Sequence, residues 1–126
     1  MTANIYWIEE PYIIATDYSG NVTEDDSEKT LKFLLEAVQK GPLYNLVDMR
    51  EATTIHNNVF RMRPVVDLIN HPNTQWVVVV KPNVIAKFAI QVLVRHKAKV
   101  FDTREEAEAF LRERLNADQK AKQQTA

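Results

Sequence analysis

The sequence predicts a single α/β domain whose mostly parallel β-sheet is flanked by helices. From residue 44 onward, β-rich runs alternate with stretches of helical periodicity, and this alternation is typical of strands joined by helical crossovers. Four consecutive valines follow Trp76, which is the continuous apolar pattern of a central parallel strand buried on both faces. The predicted order is ββαβαβαβα, with about five strands in one mixed sheet and about four helices.

The first two strands and the first helix account for the residues before Gly41-Pro42. β-rich runs at residues 5–8 and 12–18 are separated by Glu-Glu-Pro, so we expect the two strands to pair antiparallel. Thr23 precedes three acidic residues, which predicts an N-cap and a first helical turn that matches the helix dipole. Apolar residues then recur at helical spacing at Leu31, Leu34, Leu35 and Val38.

The central part of the chain is predicted to alternate strand and helix. Residues 44–49 read as a short strand that a polar loop follows. We expect the second helix to begin after Asn57 or Asn58 as its cap, and Pro64 must either kink this helix or restart it. After the valine strand, the apolar pattern predicts a third helix over residues 84–95.

The last strand and the last helix complete the domain. Residues 99–102 are predicted to form the strand, and Thr103 with Glu106 forms the capping-box pattern of the helix that follows. The segment 116–126 is polar, and we expect it to fray. The sequence therefore predicts one domain over residues 1–115 and a frayed polar tail.

Composition excludes several classes of function. The chain has no cysteine, so it has no disulfide framework, no thiolate nucleophile and no cysteine-based zinc site. Its only glycines are Gly20 and Gly41, which excludes a glycine-rich phosphate cradle, and we expect no cofactor. The N-terminus lacks a signal-peptide pattern, and no apolar run approaches the roughly 20 residues of a membrane span. We expect a cytoplasmic protein.

The stretch VDMREATTIHNN, residues 47–58, gathers polar side chains after the third strand. Its candidate contact residues are Asp48, Arg50, Glu51, Thr54, His56, Asn57 and Asn58. One interpretation is an acid–base enzyme that uses His56 with Asp48 and Glu51, at a strand end where open α/β sheets place ligands. No activated nucleophile accompanies these groups, and the asparagines suit a helix cap. We therefore expect a non-enzymatic contact loop.

The histidines and the basic residues favour neither a metal site nor nucleic-acid binding. His56, His71 and His96 are too far apart in sequence to place two imidazoles on one helical face. Residues 59–99 carry 7 basic and 1 acidic side chains, whereas residues 1–58 carry 4 basic and 10 acidic ones. No nucleic-acid recognition motif accompanies the basic segment, so we expect no nucleic-acid partner.

The predicted helix of residues 84–95 carries more apolar side chains than one sheet-facing stripe needs. Three explanations remain open: burial between neighbouring helices, a homodimer interface, or one wall of a site for a small apolar or anionic, lipid-like ligand. The candidate interface or ligand-wall residues are Trp76, Lys81, Val84, Phe88, Val92 and Arg95.

Four stretches of the chain together resemble the SpoIIAA-like branch of the STAS domains, the fold of bacterial anti-sigma factor antagonists. They are YSGNVTEDD, GPLYNLVDMREA, WVVVVKPN and VFDTREEAEAFL. The resemblance implies a regulatory module that acts through an unidentified protein partner, with a homodimer as one form of contact. In this family the strand with the aspartate, matched here by Asp48, leads to a serine that a kinase phosphorylates. The matching residues 55–59 contain no serine.

Overall fold

The computed structural model describes residues 3–55, 63–81 and 97–125. Within these ranges the chain forms five strands and three helices. In chain order they are β1 (Ala3–Glu9), β2 (Ile13–Val22), α1 (Glu24–Lys40), β3 (Leu43–Ile55), α2 (Arg63–Asn70), β4 (Thr74–Val80), β5 (Ala98–Phe101) and α3 (Arg104–Thr125). The predicted α/β class is confirmed, and the predicted helix of residues 84–95 lies outside the described residues.

The five strands form one mixed sheet in the order β1-β2-β3-β4-β5. β1 pairs antiparallel with β2, and each later neighbouring pair is parallel. The valine strand is central, as predicted, because Val78, Val79 and Val80 are at most 3% exposed. This exposure requires apolar cover on both faces, since consecutive side chains of a strand point to opposite sides of the sheet.

Apolar side chains of the sheet form a separate core on each face. On one face, which we call the α3 face, β-strand residues pack against Ala107, Leu111 and Leu115 of α3. On the opposite face, which we call the α1–α2 face, Ile14 and Leu43 pack against α1 and α2. The helical spacing seen in the sequence of α1 is therefore the spacing of its buried side.

The N-terminal caps of α1 and α3 form as the sequence predicted. Thr23 Oγ1 accepts a hydrogen bond from the backbone N–H of Asp26, and the Asp26 carboxylate accepts one from the backbone N–H of Thr23. At α3, Thr103 Oγ1 accepts from the backbone N–H of Glu106. Each cap satisfies a backbone donor that the first helical turn would otherwise leave unpaired.

Two elements extend past their expected ends. α3 continues to Thr125 in the segment that was expected to fray, and the Tyr44 hydroxyl donates a hydrogen bond to the Asp118 carboxylate in that last part. Of the polar loop expected after Met49, residues 50–55 are instead part of β3, and residues 56–58 lie outside the described residues. There, residues 51–55 pair in parallel with the end of β2. In both places tertiary contacts override a polar composition.

The ends of β2 and β3 extend past the described residues of β1 and past the end of β4. Described pairing between β1 and β2 stops at Tyr18, and described pairing between β3 and β4 stops at Asp48. Residues 19–22 of β2 and 51–55 of β3 nevertheless continue to pair with each other. We call this two-stranded extension the β2–β3 ribbon.

The described helices include none that is long and apolar enough to span a membrane.

Packing of α3 on the sheet predicts a large cost for truncating Leu111. Its side chain is 0% exposed in the core of the α3 face. We expect Leu111→Ala to lower the free energy of unfolding by about 2–5 kcal/mol, through lost burial and the cavity it leaves. Val66→Ala is the control, because Val66 is 36% exposed and should change stability by less than about 1 kcal/mol. Chemical denaturation measures both, and equal losses would contradict the assigned packing.

Candidate functional site

A network of charged side chains lies on the α3 face, beside the carboxyl ends of β4 and β5. Asp17 of β2 and Asp48 of β3 are direct register partners, so two carboxylates stand side by side on neighbouring strands. Asp48 in turn pairs in register with Val80, the last residue of β4. Two adjacent carboxylates repel each other unless a cation lies between them.

Arg104, the first residue of α3, is that cation. Its Nη1 donates to Asp17 Oδ1 at 2.7 Å and to Asp48 Oδ2 at 3.1 Å. Its Nη2 donates to the hydroxyl of Tyr6 at 2.6 Å, and its Nε donates to Glu108 Oε2 at 3.3 Å. The side chain is 14% exposed, and each of its three nitrogens has an acceptor. One guanidinium therefore ties α3 to β1, β2 and β3.

Tyr6 closes the network on the side of β1. Its hydroxyl accepts from Arg104 and donates to Asp17 Oδ2 at 2.8 Å. Burial raises the pKa of Tyr6, the bond from Arg104 opposes this rise, and the bond to Asp17 adds to it, so the net pKa is raised. The phenol therefore stays protonated at neutral pH and keeps its donor role.

A second guanidinium, that of Arg50 on the same strand, also donates hydrogen bonds to Asp48. Arg50 Nε lies 3.0 Å from Asp48 Oδ1, Arg50 Nη2 lies 2.8 Å from Oδ2, and the backbone N–H of Arg50 also donates to Oδ1 at 3.1 Å. Burial by itself would raise the pKa of Asp48, but the hydrogen bonds from Arg50 and then Arg104 outweigh it, and the net pKa is lowered. Asp48 is therefore an ionised, fully paired carboxylate.

Burial and hydrogen bonding also have opposite effects on the pKa of Arg104. Burial would lower the pKa of its guanidinium, whereas the hydrogen bonds to Tyr6, Asp48 and Asp17 raise it, and the net pKa is raised. The network thus favours the charged forms of Asp48, Arg50 and Arg104. Such an arrangement of paired charges orients the strands and the helix that carry them.

This geometry gives the acid–base interpretation of the polar stretch no support. Asp48 is a poor general base because both of its oxygens accept hydrogen bonds from guanidiniums. Glu51 is exposed on the β2–β3 ribbon, where it pairs in register with Ser19. His56 lies outside the described residues. No catalytic set forms within the described part of the stretch.

The remaining candidate contact residues fall into two groups. Arg50, with a 43% exposed side chain, and Thr54, which donates to Asn21 Oδ1, lie on β3 and not in a loop. Asn57 and Asn58 lie outside the described residues. The described members therefore lie along the C-terminal part of β3, which includes its part of the ribbon.

Of the predicted interface or ligand-wall residues, two are described. The Trp76 ring meets Phe110 edge to face, with 4.9 Å between centroids, and the Arg114 guanidinium lies 5.7 Å from its centroid. Trp76 is therefore covered by α3. Lys81 follows β4 with a φ of 49°, and its backbone N–H donates to the carbonyl of Phe101. The others, Val84, Phe88, Val92 and Arg95, lie outside the described residues.

Sequence reasoning missed Arg104, Asp17 and Tyr6. A usable signal was present in the sequence, because Asp17 and Asp48 each follow the apolar run of a strand. A carboxylate at such a position needs a cation beside it if it is buried. The cation is 56 residues from Asp48 and 87 residues from Asp17, so no local spacing identifies it. Among the described residues, no three His, Asp or Glu side chains are grouped to hold a metal ion.

Removing the guanidinium of Arg104 should destabilise the fold strongly. Arg104→Met keeps the aliphatic volume but leaves Asp17 and Asp48 side by side without their shared cation, and we expect a loss of about 3 kcal/mol in the free energy of unfolding. Arg112→Met is the matched control, because the 49% exposed Arg112 pairs with Glu9 at 3.5 Å and should cost less than about 1 kcal/mol. Similar small losses for both would contradict a central role for Arg104.

The lowered pKa of Asp48 predicts an acid-dependent stability. In the folded protein the pKa of Asp48 lies below the ordinary value of 3.8. Near that pH the folded chain therefore binds fewer protons than the unfolded chain. The stabilisation is complete above pH 3.8 and is lost as the pH falls through the folded pKa. Asp48→Asn should therefore lose less stability than the wild type between neutral and acidic pH. Denaturation at a series of pH values measures this, and parallel curves would refute it.

Comparisons with known proteins find similarity in structure alone. No family model matches the sequence, and no curated protein matches it. An uncharacterised protein of the DUF3478 family from Shewanella loihica, with a SpoIIAA-like fold, superposes with a TM-score of 0.62 at 18% identity. That match covers 86% of this chain and 91% of that chain.

The anti-sigma factor antagonist SpoIIAA matches in two forms. The unphosphorylated form gives a TM-score of 0.63 at 14% identity, over 89% of this chain and 97% of that chain. The phosphorylated form, from Bacillus, gives 0.61 at 11% identity, over 86% and 98%. At these identities the matches establish the fold. The chain thus has a SpoIIAA-like fold, which is the fold that its sequence pattern predicted.

Proposed function

We propose that this protein is a non-enzymatic regulatory module that binds a protein partner through the β2–β3 ribbon. The observation that carries the proposal is the ribbon itself, in which two strands continue to pair where the described parts of β1 and β4 have stopped. Strand edges that extend beyond a sheet offer backbone donors and acceptors to another chain.

The side chains of the ribbon suit a reversible contact. Asn21, Glu51, Thr53 and Thr54 are exposed, whereas Val22 is buried beneath them. A polar, exposed surface on a packed base is typical of non-obligate interfaces, which are about as polar as the rest of a protein surface. The surface can therefore face water when the partner is absent.

The charge network supports the proposal by holding the ribbon in place. Asp17 and Asp48 lie directly before the ribbon on β2 and β3, and Arg104 bonds to both. A contact surface whose strands are already ordered has less conformational entropy to lose on binding. The network thereby serves partner binding without touching the partner.

The structural comparisons support the proposed functional class. SpoIIAA is described as an anti-sigma factor antagonist, a protein whose role is defined by its effect on another protein. The shared fold and the paired state of Asp48 both favour a binding module over an enzyme. The homodimer and the lipid-like ligand beside residues 84–95 depend on side chains outside the described ranges and remain predictions.

Photo-crosslinking from the ribbon tests the proposal. A photoreactive amino acid in place of the exposed Thr53 should trap one protein in the native host, and the same amino acid at the exposed Glu113 of α3 should not. The trapped protein is then purified for direct binding measurements. Trapping of that protein from Glu113 alone would contradict the proposed surface.

Charge reversal at the ribbon should weaken the same complex. We expect Glu51→Arg to lower the affinity for the trapped protein by about fivefold or more, because it changes the charge and the size of an exposed ribbon side chain. Glu113→Arg is the control, since Glu113 is an equally exposed glutamate on another element. Equal affinities for both variants, with unchanged stability, would refute the ribbon as the contact.

A further inference from the structure

A cavity of about 510 Å³ lies at the end of the sheet opposite to the β2–β3 ribbon. It is bounded by the turn between β1 and β2, by the C-terminal half of α1, and by the residues that lead into β3. Its volume is in the range of sites for small molecules. None of the charge-network residues lines it, so this cavity is separate from the site described above.

Aromatic rings form the walls of this cavity. Trp7 of β1 and Phe33 of α1 stand with their centroids 6.3 Å apart and their planes inclined by 58°, and Tyr12 from the β1–β2 turn adds a third ring. All three side chains are half-buried. Aromatic faces carry negative electrostatic potential, so several rings around one space attract a cation with a weak hydration shell.

The charges at the rim favour the same kind of ligand. Glu10 and Glu36 line the cavity, both are exposed, and neither forms an ion pair with the described residues. Lys40 also lines it, so the three charged side chains carry a net charge of −1. The two carboxylates can therefore neutralise a bound cation without breaking an existing pair.

The C-terminus of α1 adds negative electrostatic potential at the cavity. Ala37, Lys40 and Gly41 line it, and Gly41 is the C-cap residue of this helix. The last carbonyl groups of a helix lack helical partners and carry the negative end of its dipole, which favours a cation nearby.

The backbone around the cavity is held by hydrogen bonds. The N–H of Tyr12 donates to the carbonyl of Glu9 at 2.8 Å, and the N–H of Tyr44 donates to the carbonyl of Tyr12 at 2.9 Å. The Asn73 side-chain amide donates to the carbonyl of Val38 at 2.8 Å and fixes the end of α1. The walls are therefore ordered before a ligand enters, which lowers the entropic cost of binding.

We propose that this cavity binds a small quaternary ammonium compound, such as choline, against the lining side chains of Trp7, Phe33 and Tyr12, with Glu10 and Glu36 at its rim. A methylated ammonium presents apolar methyl groups to the rings and spreads its charge over them, which suits both the walls and the carboxylates. A metal ion would not fill a space of this size. The ligand is taken free from solution.

Choline and its neutral analogue 3,3-dimethylbutan-1-ol test the proposal directly. The two molecules have the same shape, but the analogue has carbon in place of the charged nitrogen. Heteronuclear NMR of the Trp7 indole and calorimetry measure binding to the full chain. We expect saturable binding of choline and at least about tenfold weaker binding of the alcohol. Equal affinities, or no saturable binding of choline, would overturn the proposal.

Variants on α1 separate the contributions of the rings and the charges. Phe33→Leu keeps an apolar wall without a ring face and should weaken choline binding by roughly threefold to thirtyfold. Glu36→Gln should weaken it by a few-fold, more at low salt than at high salt. Lys40→Gln should strengthen it, because this change removes the positive charge from the described lining of the cavity. A gain of affinity cannot result from misfolding.

Controls separate this cavity from its surroundings and from the ribbon. Glu28→Gln changes a carboxylate of the same helix that is exposed and does not line the cavity, so it should leave choline binding unchanged. Glu51→Arg should also leave it unchanged, which makes this test independent of the proposed partner contact. Equal losses for Glu28→Gln and Glu36→Gln would overturn the cavity assignment. Binding to phosphatidylcholine vesicles without binding to free choline would overturn the proposed free ligand.

Discussion

The pairing of one arginine with two aspartates is the interaction on which the rest of this structure depends. Parallel pairing of β2 and β3 in this register brings Asp17 and Asp48 side by side, and that register is stable only with a cation between them. Arg104 supplies it from the start of α3, so the same contact that neutralises the sheet also sets where α3 begins to pack. The same contact therefore neutralises the two carboxylates and holds α3 against the sheet.

This arrangement gives the polar cluster at the end of β3 a structural role. Asp48 is held ionised by Arg50 and Arg104, and Tyr6 is held protonated, so neither of these two groups exchanges a proton near neutral pH. The β2–β3 ribbon follows the network along both strands, and its polar side chains are exposed. The opposite end of the sheet differs in chemistry, because aromatic rings line a cavity there, together with carboxylates that form no ion pair with the described residues.

Local patterns were sufficient for most elements because the signals that define them are local. The Thr23 cap, the helical spacing of α1 and the valine run of β4 each lie within a few residues, and all three appear where they were predicted. The errors lie where long-range contacts decide. Residues 51–55 become a strand because β2 pairs with them, and the last turns of α3 form where Asp118 bonds to Tyr44.

By itself, the sequence determined the α/β class, the order of the described elements and the SpoIIAA-like pattern, since periodicity and capping act between near neighbours. Only the tertiary structure decided the partner of each buried charge and the position of the cavity. Arg104 lies 56 residues from Asp48, and Trp7 lies on a different element from Phe33. Such pairs meet through sheet register and helix packing, which no local spacing records, and both proposed functions therefore rest on contacts between distant parts of the chain.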